Sequence, residues 1–494
     1  MHFPRFVREL SFSHYGWPAR NMFGFFFFSI VLIVRLAHHE LWRDEVQAWL
    51  ITASATSFAD LLVIPGEGHP PLWYWVLFPF TKLGSDPNLI KVPLAICSIA
   101  ALSLLWFRMD LSVLEKVMIA AGYFLSFEYG IIARSYILGM LLLWVFAAFH
   151  HNIKEYPFAG ALLLGLASLT HVFFAMAATG LAALTIALWM KEGVPSKRLL
   201  GFGTIFAALL CFALTTVVLS VPPHGGPTSA AAGAPQSVTT QVLHSIVQLL
   251  DSLVKVLERL GRAFAPVFRR PWRYLFEALC LYLLVQAFLP MRLSGLVFFC
   301  TAVCISISAE LLHLGAGARY SGTIYVLFVA IYLIKSREMS VPHCRALLFS
   351  SMLGGLATFL PAPPSSMGQH AAILIARANA QDARWAAYPD FTGTVAFAFL
   401  GRSFHSFECD CEATFTKWGG QRLGRRPDRY DLEQRIQHFL GATGSGDAYV
   451  LVSQPKLAFF SSALPTNIRL DPIFETEPAG EEGFFAFRFS KVAR

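Results

Sequence analysis

Charge is what this 494-residue sequence has least of: Asp, Glu, Lys and Arg together make up 14% of it, against roughly a quarter in soluble globular domains. That scarcity excludes a water-soluble fold for most of the chain, because a soluble surface of this size needs charged cover. Cysteine is sparse too. Of the eight, six lie in apolar runs or short loops, where a cysteine acts as a small hydrophobe, so no disulfide framework and no cysteine metal site is expected. Cys409 and Cys411 flank Asp410, and a bridge across a single residue would be strained. Basic clusters on a soluble face are missing as well. The net charge of +8 is scattered among short loops, which argues against a nucleic-acid partner. Neither an internal repeat, nor short alternating strands of barrel type, nor a small-residue cleavage site behind the first apolar run can be found.

Long uncharged runs are what the chain does have, with 55% hydrophobic residues and 45 phenylalanines. Val92–Phe107, Tyr156–Met190, Leu199–Ser220, Ser294–Ala309, Tyr320–Ile334 and Ala346–Leu360 carry no charge, and helices are the spanning form such runs take in a bilayer. Basic residues then set the sidedness. Arg5, Arg8 and Arg20 in the tail, Lys191, Lys197 and Arg198, and Lys335, Arg337 and Arg345 belong inside. The expected fold is an all-α polytopic membrane domain over 21–360, preceded by a cytoplasmic tail at 1–20 and followed by a small extracytoplasmic α/β domain at 361–494. About eleven transmembrane helices are expected, at 21–37, 90–107, 116–131, 137–149, 157–170, 172–190, 199–221, 273–290, 294–312, 320–334 and 346–360. Pro71–Gly84 is too short to cross and reads as re-entrant or interfacial.

Two loops fall outside. In 222–272 a Pro/Gly/Ala linker gives way to apolar residues at helical spacing (Val242, Ile246, Leu249, Leu253, Val256, Leu260, Phe264), with Asp251/Lys255 and Glu258/Arg262 four apart. It is expected to lie on the membrane surface. In the C-terminal part, "DLEQRIQHFLG" reads as a helix and "AYVLVSQ" and "GFFAFRFSKV" as strands.

The other loop, 38–71, opens with "HHELWRDEVQAW": Glu40, Asp44 and Glu45 among histidines and tryptophans, directly after a helix with one charge in seventeen residues. An aromatic belt with Trp42 and Trp49 at headgroup depth accounts for that stretch alone. Glu40 and Asp44 share a face if the helix starts early enough, while Glu45 points elsewhere. The loop ends, however, in "PGEGHPPLWYWVL", where two prolines stiffen the chain beside Glu67 and His69, so a built site is expected. "IIARSYILGM" returns Arg134 and Tyr136 to the same side, and "HLGAGARYSG" returns Arg319.

The ordered set Asp44-Glu45, then His69-Pro-Pro-Leu72, then Arg134-x-Tyr136 resembles the GT-C glycosyltransferases, nearest to the protein mannosyltransferases and the aminoarabinose transferases of lipid A. The likeness spans roughly residues 20–335 and leaves the C-terminal domain out. It implies an enzyme of a bacterial inner (plasma) membrane that transfers a sugar from a polyprenyl-phosphate donor to a protein, lipid or polysaccharide acceptor at the outer face. Asp44, with Glu45 beside it, is then the catalytic carboxylate that takes the acceptor's proton. Arg134, Arg319 and His69 hold the donor phosphate, and Glu40, Glu67, Tyr136 and His171 are accessory.

Simpler roles compete. Arg35 can snorkel to headgroups, Arg269, Arg270 and Arg273 can bind lipid phosphates, Glu128 can be the partner of Arg134, and His171 can be a satisfied buried histidine. A divalent metal stays open, since carboxylates suit hard cations but adjacent helical residues do not converge on one ion. A transporter or flippase of lipid-linked glycans, or a non-catalytic membrane assembly protein, is the rival class; no paired halves of the kind many transporters show are found.

Overall fold

The computed structural model describes residues 19–220, 251–266, 272–312, 318–359, 366–415, 427–443, 447–477 and 483–491, apart from positions 253, 337, 379 and 381. The N-terminal tail to residue 18, the linker after residue 220, Val242, Ile246, Leu249, Leu253, Arg269 and Arg270 lie outside the described residues.

Ten of the eleven expected helices are present within a few residues, and the eleventh is present in part. They are α1 (Ala19–His38), α4 (Lys91–Phe107), α5 (Val113–Ala120), α6 (Tyr136–Ala148), α7 (Pro157–Ser168), α8 (Val172–Lys191), α9 (Ser196–Ser220), α10 (Trp272–Phe288), α11 (Arg292–Leu311), α12 (Ala318–Lys335) and α13 (Val341–Ala357). Two short helices lie between α1 and α4: α2 (Arg43–Ser54) and α3 (Leu72–Thr81). The stretch expected as one helix at 116–131 is divided, because α5 stops at Ala120 and a π-helical turn follows at Phe124–Glu128.

Six helices among the described residues are long and apolar enough to cross a membrane: α1, 87–107 with α4 as its body, α8, α9, α11 and α12. The faces that α1, α9 and α10 turn outward are apolar, with Phe23, Ile30, Leu200, Val218 and Leu275 all more than half exposed. Water would penalise such faces and a lipid phase does not. By contrast α12 is hydrophobic all round and buried from Ser321 to Tyr332, as the central helix of a bundle is.

Three sequence readings are corrected here. The apolar face of the amphipathic helix is taken up by the protein itself: its described part buries Val256, Leu260 and Phe264 in the bundle, with the Phe264 ring 5.1 Å from Phe328. Lys255 and Arg259 dock on Glu310 of α11 at 2.6 and 3.0 Å, which fixes the helix across the bundle, and the two expected i,i+4 pairs form at 2.8 and 2.7 Å. Arg35 does not snorkel; it donates to the Ser126 carbonyl at 2.6 Å and to Thr358, and its guanidinium lies 4.2 Å from the Phe359 ring centre. Arg273 pairs with Glu277 and Glu258 rather than standing ready for lipid.

The C-terminal domain is a six-stranded mixed sheet in the order β3-β2-β1-β4-β6-β5, with β1 Arg384–Tyr388, β2 Phe404–Ser406, β3 Cys411–Ala413, β4 Ala448–Ser453, β5 Ile468–Glu475 and β6 Phe484–Lys491. β1 pairs in parallel with both β2 and β4, while the outer pairs are antiparallel. Strand period two splits its core. Trp385 and Ala387 pack under α14 (Gly368–Arg377) and α15 (Asp390–Leu400), whereas Ala386 and Tyr388 pack under α16 (Arg429–Thr443). Contrary to the reading of the cysteines, Cys409 and Cys411 are joined; Asp410 between them adopts φ 51°, the left-handed conformation an aspartate tolerates. α15 also packs on α2: Phe391 lies under the Arg43 guanidinium at 4.7 Å, and Val395 and Ala398 join the core of the helical bundle. This contact places the small domain over the acidic helix.

Candidate functional site

α2 starts at Arg43, so Glu40 precedes it and shares no helical face with Asp44. Glu40 lines another cavity, with Lys91 and with His370 of α14. Of the adjacent pair, Asp44 turns into a cavity and Glu45 turns away. Glu45 is fully buried and acts as a tie: its carboxylate accepts from the Trp42 amide at 3.0 Å, from the Ala133 amide at 2.5 Å and from His39 Nε2 at 2.9 Å. It therefore caps α2 from its third position and pins the Arg134 loop to it, away from the cavity. Trp49 is fully buried in the core and Trp42 stacks under Arg319 at 4.4 Å, so neither forms the expected headgroup belt.

Asp44 gathers cations. Its Oδ2 receives Arg134 Nη1 at 2.7 Å and Arg319 Nη1 at 3.2 Å, and Arg43 Nε lies 3.6 Å from Oδ1. Burial raises the carboxyl pKa, but Arg134, Arg319 and Arg43 outweigh it and the net shift is downward, so Asp44 stays ionised. Arg319 is held from three sides: by Asp44, by Glu128 at 3.8 Å, and through its own carbonyl, which accepts from Tyr129 Oη at 2.5 Å. Glu128 thus pairs with Arg319, not Arg134, and accepts from Tyr123 at 2.8 Å.

The cavity beside this knot has a volume of 330 Å³ and draws its lining from α2, the "PGEGHPP" loop, α3, the Arg134 turn, the start of α8 and the start of α12. Glu67 enters it between two glycines at φ 83° and 64°, a turn that L side chains avoid; the Gly66 amide is fastened to the Ser220 carbonyl at 2.6 Å. Its carboxylate accepts from Gln47 Nε2 at 3.2 Å and Tyr74 Oη at 3.3 Å, both neutral donors. Burial raises its pKa above the ordinary carboxyl range against the opposing effects of Gln47, Arg134 and Tyr74.

His69 sits 5.1 Å from His171, ring centre to ring centre. Burial, with Arg134 assisting, brings the His69 pKa down to about 4, so the ring is neutral near pH 7. Among the described residues its Nδ1 and the Trp73 Nε1 have no hydrogen-bond partner although both are buried, a state that buried polar atoms of folded proteins rarely keep. His171 caps α8 by accepting from the Phe173 amide through Nδ1, which leaves its proton on Nε2, 3.3 Å from Tyr136 Oη. It is the satisfied buried histidine of the simpler reading, yet it also lines the cavity.

Of the residues read from sequence, Asp44, Glu67, His69, Arg134 and His171 share the cavity, Arg319 reaches it through Asp44, and Tyr136 stands behind His171. Gln47, Trp73, Tyr74 and Tyr320 also line it and were missed. Gln47 follows Asp44 at helical spacing and Tyr74 follows the proline pair, so the signal was present for both. Among the described residues no group of three or more His, Cys, Asp and Glu side chains is placed to hold a metal ion. No protein-family model and no curated protein matches the chain.

Proposed function

We propose that the chain is an integral membrane glycosyltransferase of GT-C type, which moves a sugar from a polyprenyl-phosphate donor to a protein, lipid or polysaccharide acceptor at the outer membrane face. In this reading α5 with its π-helical turn, α6, α7, α10 and α13 cross the membrane along with the six longer segments, for eleven crossings.

The observation that carries the reading is the pair of guanidiniums, Arg134 and Arg319, converging on one oxygen of Asp44 at the edge of a cavity with unpartnered polar atoms. Two arginines fixed in this way are prepared to receive the phosphate of a donor and to stabilise the charge it keeps when the sugar leaves. Neutral His69 and the Trp73 indole offer polar contacts to sugar hydroxyls. A second cavity, of 440 Å³, supports a lipid-linked donor. It lies among α1, α4, α5, α13 and the π-helical turn, and every lining residue except Ser126 is apolar. Ser126 belongs to the turn that carries Glu128 to Arg319, so the apolar space and the arginine pair adjoin one structural element.

Full-length protein purified in detergent and incubated with a panel of labelled polyprenyl-phosphate sugars is expected to release polyprenyl phosphate from at least one of them. Absence of both binding and turnover across the panel would sink the reading.

A further inference from the structure

We infer that Glu67, rather than the arginine-bound Asp44, is the group that takes the proton from the acceptor hydroxyl. The inference rests on the glycosyltransfer reading and deepens it.

Asp44 is the obvious base by sequence and a poor one by geometry. Both cavity-side arginines occupy the same oxygen, the other oxygen faces Arg43, and a carboxylate so neutralised has little affinity for a further proton. Its place in the site is to hold the two guanidiniums in register for a phosphate. Glu67 is the other carboxylate in the cavity and has the opposite surroundings. Its two hydrogen-bond donors are an amide and a phenol, and among the described residues it forms no ion pair.

The groups that face Glu67 come from every wall: Asp44 from α2, His69 from its own loop, Tyr74 from α3, Arg134 from its turn, His171 from the start of α8 and Tyr320 from α12. Arg134 lowers its proton affinity and Asp44 raises it; burial prevails, so the carboxyl lies above the ordinary range, nearer working pH, where a general base is most effective. Two carboxylates of opposed environment in one cavity is the arrangement that separates a proton carrier from a fixed charge.

The step balances. The acceptor O–H proton passes to the Glu67 carboxylate, the oxygen's electron pair forms the bond to the anomeric carbon, and the bond from that carbon to the phosphate oxygen breaks with its electrons. Polyprenyl phosphate leaves against Arg134 and Arg319, and Glu67 then loses its proton to water.

The test is a pH–rate profile on the full-length protein with whichever donor it turns over, alongside binding of polyprenyl phosphate. The wild type is expected to lose turnover below an acid limb set by Glu67, at higher pH than an ordinary carboxyl. Glu67→Gln is expected to lower turnover about 100- to 10,000-fold and leave polyprenyl-phosphate binding unchanged. Asp44→Asn also slows transfer but keeps the limb, moved slightly to lower pH because a neighbouring anion has gone. Tyr74→Phe removes a donor to the ionised form, so the limb moves to higher pH in a protein whose carboxylates are intact; this arm decides the matter if Glu67→Gln fails to fold. A Glu67→Gln protein that keeps both turnover and limb overturns the assignment while leaving the glycosyltransfer reading in place, as does a Tyr74→Phe profile identical to the parent's. A wild type that processes no donor removes the reaction itself and the assignment with it.

Discussion

At the scale of the residue, the site turns on which charge each side chain meets. Arg134 and Arg319 already share an anion, Asp44, so under the proposed function the donor phosphate enters as a second anion between them rather than filling an empty seat. Charge-assisted hydrogen bonds of this kind contribute about 1.5–3 kcal/mol each, which corresponds to roughly 10- to 100-fold in affinity. Arg319→Ala and Arg134→Ala are therefore each expected to weaken binding of polyprenyl phosphate by about that factor and to slow transfer as well. Lysine at either position is expected to recover only part, because it keeps the charge and loses the planar fork that lets Arg319 contact Asp44 while stacking on Trp42. Fluorescence or calorimetric titration of the purified variants measures it, and parent-like binding in both alanine variants would contradict the role. Adjacent carboxylates show where reading from sequence stops. The sequence favours Asp44 as the base and leaves Glu45 without a partner, and what gives Glu45 its separate place is the start of α2 at Arg43 together with the Ala133 amide, a partner 88 residues away.

At the scale of the element, legibility follows the range of the forces involved. The uncharged helices were readable because a lipid phase filters sequence locally, residue by residue, and α8 or α9 needs no distant partner to be recognised. The π-helical turn at 124–128 was not readable, since its carbonyls and side chains are held by Arg35, Arg319 and Tyr123. β2, three residues long, carries no period of its own and exists through pairing with β1 and β3. Arg259 gave no sign of docking because Glu310 lies fifty-one residues on. The crossing of α13 over α5 and the turn illustrates the same dependence at one position. A Cβ on Gly355 would collide with the Ala121 carbonyl, a backbone atom that cannot rotate away. Gly355→Ala is expected to destabilise the bundle by about 1–3 kcal/mol, the usual cost of overpacking. Gly201→Ala on the outward face of α9 meets nothing within 4 Å and is expected to leave stability unchanged or slightly raised. Thermal unfolding in detergent compares the two, and equal midpoints would contradict the close approach at Gly355.

At the scale of the whole molecule, the charges sort onto two ends, and under the proposed function that sorting predicts an orientation that can be measured. At one end Lys154 pairs with Glu192 at 3.7 Å and its carbonyl accepts from Arg198, which gathers the start of α7 and the α8–α9 turn; Arg345 and Tyr332 meet on Glu115, which joins the starts of α5 and α13 to the end of α12. Lys335 ends α12 at this same end. At the other end the arginines are drawn inward onto carboxylates, as Arg134 and Arg319 are on Asp44. Under the proposed function the surplus basic loops lie in the cytoplasm, and the site and the C-terminal domain packed on α2 lie outside. The Cys409–Cys411 disulfide agrees, since such bonds persist in oxidising compartments. In intact cells a membrane-impermeant thiol reagent is therefore expected to leave the protein unlabelled at first and to label it after treatment with an impermeant reductant. Cys409→Ser with Cys411→Ser is expected to abolish that signal, because the six remaining cysteines lie within helices of the bundle, which a charged reagent does not enter from outside. Labelling that requires permeabilised cells would put the small domain in the cytoplasm, carry the Asp44 cavity with it through the α2–α15 contact, and remove the outer-face reaction from consideration.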